Sequence, residues 1–215
     1  MTTPRPRVLL ADDHRLVAEA LKSLLAAEFE LLGVVEDGRA LVAAAKQLRP
    51  DVIVADITMP FLNGLDALLQ LRKDNPNVKV VFLTMHKDVA YARRALESGG
   101  SGFVLKHSAP AELLDAIRAA LAGKTYLTPA LAGELLQAMK RAPQTANDPV
   151  ASLTPRQREI LQLFAEGRSA KEIGAALGIS ARTVEFHKYQ MMDSLGLRAN
   201  AELVHFAIKH GIVAV

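Results

Sequence analysis

Pro50-Asp51-Val52-Ile53-Val54-Ala55-Asp56-Ile57-Thr58-Met59-Pro60 is an apolar run that delivers one carboxylate to a point where the chain must turn. Val52 to Val54 read as a strand buried on both faces, because β-branched residues fill it and Pro50 and Pro60 bound it. Asp56 falls at its carboxyl end. In an open parallel α/β sheet that edge collects ligands and chemistry, since strand ends, loops and helix amino ends converge there.

Upstream, Arg7 to Ala11 is a short apolar strand running into Asp12-Asp13-His14. Leu16, Ala20, Leu21, Leu24 and Leu25 then recur at helical spacing. Leu31 to Val35 is a second strand, and Asp37-Gly38 turns the chain into a helix over about Arg39–Leu48. Downstream of the Asp56 strand, Asn63-Gly64 opens a helix near Leu65–Lys73. Lys79 to Leu83 is a strand ending on Thr84, and Asp88 to Ser98 a helix closed by Gly99-Gly100. Phe103 to Lys106 is a fifth strand, and Pro110 starts a helix carrying Leu113, Leu114, Ile117 and Leu121. Five strands alternating with five helices predict an α/β domain over residues 1–125, a five-stranded parallel sheet doubly wound with right-handed crossovers. Residues 126–150 read as a linker, partly helical: Thr128-Pro129 caps a helix to about Lys140, and Ala142 to Pro149 is polar, Pro-rich and flexible. From Ala151 to Val215 the apolar period is wholly helical. Thr154-Pro155 and Ser169 give helix starts, Gly167 and Gly178 give stops, and a second, smaller all-α domain results.

Composition narrows the classes. The 215 residues suffice for two small domains, and half of them are hydrophobic, enough for a core in each. There are no cysteines, which removes disulfide frameworks and thiolate metal sites and fits the reducing cytoplasm. Met1 to Pro6 carry no apolar signal region, and no run is long enough to cross a bilayer, so no membrane partner is expected. The net charge is +3. Most of its excess lies in residues 151–215, with 8 Lys and Arg against 6 Asp and Glu, where residues 1–125 have 16 against 15, which suits an anionic partner without deciding for DNA.

Asp12, Asp13, Asp56, Thr84 and Lys106 all fall at or just after the carboxyl ends of the first, third, fourth and fifth strands. Singly, each has an ordinary explanation: a helix N-cap, a turn former, a strand terminus, a solvated charge. Together they make a constellation. Three crowded carboxylates repel one another unless something positive neutralises them. Mg²⁺ answers that need, as a hard cation that takes one or two carboxylates and keeps several waters. A carboxylate beside Mg²⁺, a hydroxyl and an ammonium is set up for phosphoryl transfer to itself, with Asp56 as nucleophile and an aspartyl phosphate as product.

Asp12-Asp13, Asp56-x-x-Met59-Pro60-x-x-x-Gly64, Thr84 and Gly102-Phe103-Val-Leu-Lys106 resemble the receiver domain of two-component response regulators, over residues 7–122. The resemblance implies that Asp56 is the phosphoacceptor. Asp13, Asp56 and the backbone carbonyl of Thr58 would form the Mg²⁺ site, supported by Asp12. Thr84 and Lys106 would contact the phosphoryl group, and Phe103 would be the aromatic that turns on activation.

In the helical part, Gly178-Ile179-Ser180 is a tight turn between two short helices, the second capped by Ser180. Such a second helix enters the major groove. Val184, Met191 or Met192, and Leu195 would face the core. Arg182, Thr183, Glu185, Phe186, Lys188 and Tyr189 are left for the outer face, with Arg182, Thr183 and Lys188 on phosphates and Glu185 or Tyr189 on base edges; His187 completes the candidate DNA-binding set. The stretch from Leu153 through Lys171-Glu172-Ile173, Thr183-Val184 and His187 to Leu195-Gly196 resembles the LuxR-type helix-turn-helix. The order receiver, linker, LuxR-type domain resembles the NarL/FixJ class. That implies a cognate sensor histidine kinase as phosphodonor, double-stranded DNA with an inverted-repeat operator as target, and a homodimer when active, paired through a carboxyl helix bearing Leu203, Val204 and Ala207. Two other readings use the same residues: a Mg²⁺-dependent phosphohydrolase, and a DNA-binding protein whose receiver is only a dimerisation scaffold.

Overall fold

Val52–Asp56 forms β3, and all five of its residues are buried. Its neighbours explain why. β1 (Arg7–Ala11) pairs with it in parallel on one side, Val8 opposite Val52 and Leu10 opposite Val54. β4 (Val80–Thr84) pairs on the other, with Asp56 opposite Leu83. A strand flanked on both edges and covered on both faces has no polar side to present, which is why this run does not alternate. The structure, a computed structural model, describes residues 4–85, 89–108, 110–141 and 149–213. The expected helix start at Asp88 and the stretch Ala142–Asp148 lie outside the described residues.

The chain divides into two compact units, residues 1–59 with 63–142 and residues 60–62 with 143–215. In the first, β2 (Glu30–Val35) and β5 (Gly102–Leu105) flank the central strands, and the sheet order is β2-β1-β3-β4-β5-β6. Every pairing is parallel. The expectation of five strands is corrected here to six. Tyr126–Leu127 (β6) adds to the edge of β5, with Tyr126 N–H donating to the Ser101 carbonyl at 3.1 Å and Thr128 N–H to that of Phe103 at 3.1 Å. Two residues are too few to show a period of two, so the strand is invisible in sequence; tertiary pairing creates it by satisfying the open edge of β5.

One face of the sheet, with Val8, Leu10, Val54, Val81, Leu83 and Val104, packs on Leu25 of α1 (Arg15–Glu28) and on Leu113, Ala116 and Ile117 of α5 (Pro110–Leu121). The remaining helices of this unit are α2 (Gly38–Leu48), α3 (Gly64–Asp74), α4 (Val89–Glu97) and α6 (Pro129–Arg141). α6 packs against α4, so the stretch after Thr125 is built onto the sheet unit as far as Arg141. The apolar stripe of α1 is only partly used. Leu25 is buried, but Leu16 stands 89% exposed at the rim of an apolar groove of about 400 Å³ between α1 and α5.

The second unit holds α7 (Pro155–Ala165), α8 (Ala170–Leu177), α9 (Ala181–Leu195) and α10 (Asn200–Lys209) around Ile160, Leu161, Ile173, Val184, Met191 and Leu203. Capping residues set the ends. Thr154 and Gln157 cap α7 reciprocally, Ser169 and Glu172 do so for α8, and Gly178 closes α8 at φ 67° in the left-handed region. The Glu172 carboxylate accepts from the Ser169 hydroxyl at 2.6 Å and its backbone N–H at 2.8 Å. These bonds hold its pKa below the usual 4.5. A depressed carboxylate stabilises the fold above the unfolded value, and that contribution is lost as pH falls through the lower folded one. The acid limb of thermal unfolding of this unit, below about pH 4.5, should therefore flatten in Glu172→Gln. An unchanged limb would remove the capping box from the stability of α8. Among the described residues no helix is long and apolar enough to cross a membrane.

Candidate functional site

The sheet order reverses between β1 and β3, and there the loops leaving the two strands diverge and open a crevice. Asp12 follows β1, Asp56 ends β3, Thr84 ends β4 and Lys106 follows β5, so alternating strand and helix signals alone bring them to one edge. Backbone bonds tie that edge together, with Asp12 N–H on the Val35 carbonyl at 2.9 Å and Lys106 N–H on that of Thr84 at 2.8 Å. Gly64 holds the loop after β3 close: its N–H reaches the Ile57 carbonyl at 2.8 Å, and a Cβ at this position would collide with the Asp56 carbonyl.

Lys106 is the hub of the side chains. Its Nζ donates to Asp56 Oδ2 at 2.7 Å and to Asp12 Oδ1 at 3.0 Å, and lies 2.8 Å from Asp12 Oδ2. Asp56 is 1% exposed, and its Oδ1 accepts from Thr58 N–H at 3.2 Å. Burial pushes the Asp56 carboxyl upward, and the charge of Asp12 adds to that; Lys106 and the Thr58 amide pull the other way without winning. Burial also pulls the Lys106 ammonium down, but the two carboxylates it faces outweigh burial and raise it. One ammonium serves two buried carboxylates, so the cation is held charged while negative charge is left over.

That surplus bears on a cation. Asp12 Oδ2 meets the Lys106 ammonium at 2.8 Å, whereas Asp13 Oδ1 is buried and accepts no hydrogen bond. One ligand atom from each of Asp12, Asp13, His14 and Asp56 can be chosen so that all lie within 4.8 Å of one another. Oxygen donors of this kind fit a hard divalent ion. His14 belongs to this group but was not singled out in the sequence. The signal was its place directly after Asp12-Asp13 at a strand end, where a side chain returns over the edge it has just left. Thr84 and Phe103 are both fully buried, Phe103 on β5 opposite Phe82.

The second unit presents α9. Gly174 lets α8 and α9 approach, and Ser180 caps α9, its Oγ accepting from Thr183 N–H at 3.0 Å. Val184, Met191 and Met192 are buried as their spacing predicts, while Arg182, Phe186 and Tyr189 are exposed. Thr183, Glu185 and His187 are half-buried, and the His187 Nδ1 is buried without a hydrogen bond. Lys188 departs from the expected outer face. It is 7% exposed, its Nζ 2.6 Å from Glu185 Oε2 and 5.3 Å from the ring centre of Phe164 on α7. Four residues after Val184, it lies on the buried stripe, with its ammonium paired to Glu185. Leu203 and Ala207 on α10 are likewise buried in their own unit's core and do not form an open pairing face.

Residues 8–118 match the family described as response regulator receiver domain. Residues 151–207 match the bacterial regulatory proteins of the luxR family. The transcriptional regulatory protein MctR of Rhizobium johnstonii is 36% identical over 213 residues, spanning 98% of this chain and 97% of that relative. The response regulator UvrY of Escherichia coli is 30% identical over 207 residues, 95% of this chain and 94% of that relative. The structure of RcsB from Salmonella enterica serovar Typhimurium bound to promoter P1flhDC in the presence of phosphomimetic BeF3- superposes with a TM-score of 0.62 at 26% identity, covering 94% of this chain and 98% of RcsB. Nothing in these likenesses supports the phosphohydrolase reading. With both domains matched in order and relatives aligned almost end to end, the chain belongs to the two-component response regulators of the NarL/FixJ class, homologous to DNA-binding transcription regulators.

Proposed function

We propose that this chain is a transcription regulator whose affinity for an operator is set by phosphorylation of Asp56. The observation that carries the reading is Lys106 Nζ held between Asp56 and Asp12 at 2.7 and 3.0 Å, beside the Asp13 carboxylate, whose Oδ1 is buried and accepts no hydrogen bond. A phosphoryl group delivered there meets a nucleophile and a cation already oriented. In the transfer, an Asp56 oxygen forms the bond to phosphorus as the bond to the donor breaks, the donor being a phosphohistidine of a sensor kinase. Lys106 then turns from the carboxylates to a phosphoryl oxygen, and the Thr84 hydroxyl donates to another. Asp12, Asp13, Asp56 and the Thr58 carbonyl would hold Mg²⁺, which when bound screens the charge on the transferring phosphoryl oxygens. Phe103 would shift as Thr84 is drawn inward, altering the face of β4 and β5.

On the DNA side, α9 lies in the major groove, with Arg182 and Thr183 at its start on phosphates. Glu185, Phe186 and Tyr189 meet base edges, where Glu185 accepts from cytosine and Phe186 suits the thymine methyl. Lys188, tied to Glu185, orients that carboxylate more than it reaches phosphate, and His187 supports the same face. A dimer on an inverted-repeat operator in the cytoplasm completes the reading; a structure of two RcsB dimers bound to two parallel DNAs supports it by likeness.

The test is the operator affinity of the full chain, located by genome-wide footprinting, with and without acetyl phosphate and Mg²⁺ over a salt series. Phosphorylation should tighten binding by roughly 5- to 150-fold, the usual range of coupling between two sites. Arg182→Ala should lower the slope of log affinity against log salt by about one. Equal affinity in both states would leave DNA binding standing and remove control by Asp56.

A further inference from the structure

We infer that Lys188 is a positioning residue for base recognition: anchored on Phe164 of α7, it fixes Glu185, so that two side chains which touch no DNA set the base that α9 accepts. The inference rests on the reading that α9 enters the major groove.

A lysine in the middle of a reading helix is ordinarily a phosphate contact, with its ammonium in solvent. Lys188 is not placed for that. It is 7% exposed and shares the buried stripe of α9 with Val184, Met191 and Met192. Its Nζ lies 2.6 Å from Glu185 Oε2, 5.3 Å from the ring centre of Phe164 and 5.0 Å from that of Tyr189. To reach a phosphate the ammonium would have to leave all three. Burying an ammonium is costly unless it is paired, and an apolar side chain would fill the stripe without that cost. What only the lysine supplies is a positive charge fixed beneath the outer face.

The consequence falls on Glu185, which is half-buried at the edge of that face. Between two exposed side chains, a pair three residues apart leaves the carboxylate free to change rotamer and is worth little. Here one partner is held, because Phe164 itself packs on the core of the unit. Charge works in the same direction: a lone carboxylate is repelled by the phosphates that flank the groove, whereas the pair with Lys188 is neutral and can approach the bases. With the ammonium on Oε2, Oε1 is left to accept. Adenine offers its N6 donor beside the N7 acceptor, which a carboxylate cannot satisfy, so the base selected is cytosine through N4.

The experiment selects duplexes from a random-sequence DNA library with the full chain in acetyl phosphate and Mg²⁺. Affinities for the selected duplex, its single-base variants and an unselected duplex are then measured over a salt series, beside thermal unfolding. Wild type should prefer C·G at one position of each half-site by roughly tenfold. Lys188→Met should cut that preference to about twofold or less, and Phe164→Leu, which keeps every charge, should cut it by roughly threefold. If Lys188→Met does not fold, Phe164→Leu carries the test. The double variant Lys188→Met with Glu185→Ala matches wild type in net charge, so its salt slope should equal that of wild type. It should also show the same base preference as Glu185→Ala alone, which a general loosening of the unit would not give. A slope lower by about one in the double variant would make Lys188 a phosphate contact. That result, a C·G preference that survives Glu185→Ala, or one unchanged in both Lys188→Met and Phe164→Leu would overturn the inference. So would selection of a sequence with no C·G preference, whereas a wild-type chain that selects no sequence at all would overturn the groove reading itself.

Discussion

Asp56→Asn is expected to abolish acid-labile incorporation of phosphate from acetyl phosphate, from about one per chain to none, and with it the donor-dependent gain in operator affinity. The substitution is nearly isosteric and keeps the acceptor that Thr58 N–H reaches at 3.2 Å, so the loop geometry should survive. What it removes is a nucleophilic oxygen, and no neighbour can take its place: Asp12 is fully buried on a different strand end and already shares Lys106 with Asp56. The same change separates chemistry from folding. Because burial and the Asp12 charge raise the Asp56 carboxyl, its ionised form weighs against the folded state near neutrality. A raised group contributes stability only when protonated, and that contribution disappears as pH rises through its folded value. The neutral variant should thus melt no lower than wild type in the absence of divalent ions. Retained stoichiometric phosphate on Asp56→Asn would move the phosphoacceptor elsewhere; loss of both phosphate and stability would make Asp56 chiefly structural.

The second large effect is expected from Gly174→Ala, which should disable DNA binding while phosphorylation proceeds. A Cβ at Gly174 would stand 2.7 Å from the Ile179 carbonyl oxygen and 3.2 Å from Ala181 N, both backbone atoms of the turn that delivers α9. Alanine gains up to about 1 kcal/mol over glycine in a helix. Forcing the turn apart costs about 1–3 kcal/mol by the measure of overpacked cores, which offsets that gain or exceeds it. A net loss of up to about 2 kcal/mol corresponds to as much as roughly 16 °C in Tm for a unit this small, and a displaced α9 would present its outer face differently. Gly133→Ala on α6 is the control, since nothing lies within 4 Å of a Cβ there; it should be neutral or stabilising. The measurement is thermal unfolding beside operator affinity and phosphate uptake for both variants. Unchanged affinity in Gly174→Ala would mean that the α8–α9 turn has slack.

Much of the acidic site was legible because it depends on strand ends. An apolar run bounded by proline or glycine marks where a strand stops, and in a parallel sheet the stops share an edge. Asp12, Asp56, Thr84 and Lys106 could therefore be grouped without a coordinate. His14 was not grouped with them, since the residue after a strand end can point outward or back, and only the N-cap geometry of α1 turns it back. On α9 the buried stripe is legible from its helical spacing, but Lys188 departs from the outer face: its position one turn beyond Val184 buries it and sets its ammonium 5.3 Å from the ring centre of Phe164. Leu203 and Ala207 show the reverse error, apolar residues read as an open face that their own core claims.

By itself, then, the sequence determined the alternation of strand and helix in the first unit, the helical character of the second, the residues at the sheet edge and the caps that start α7, α8 and α9. These are local matters, settled by hydrophobic period and by the backbone preferences of proline, glycine and capping side chains within a few residues. Tertiary structure decided the sixth strand, the sharing of Lys106 between Asp56 and Asp12, the turn of His14 over the carboxylates and the burial of Lys188. Each of these depends on what lies opposite in space at distances of a few ångströms, where hydrogen bonding, burial and the count of charges choose among arrangements that one stretch of chain leaves equally open.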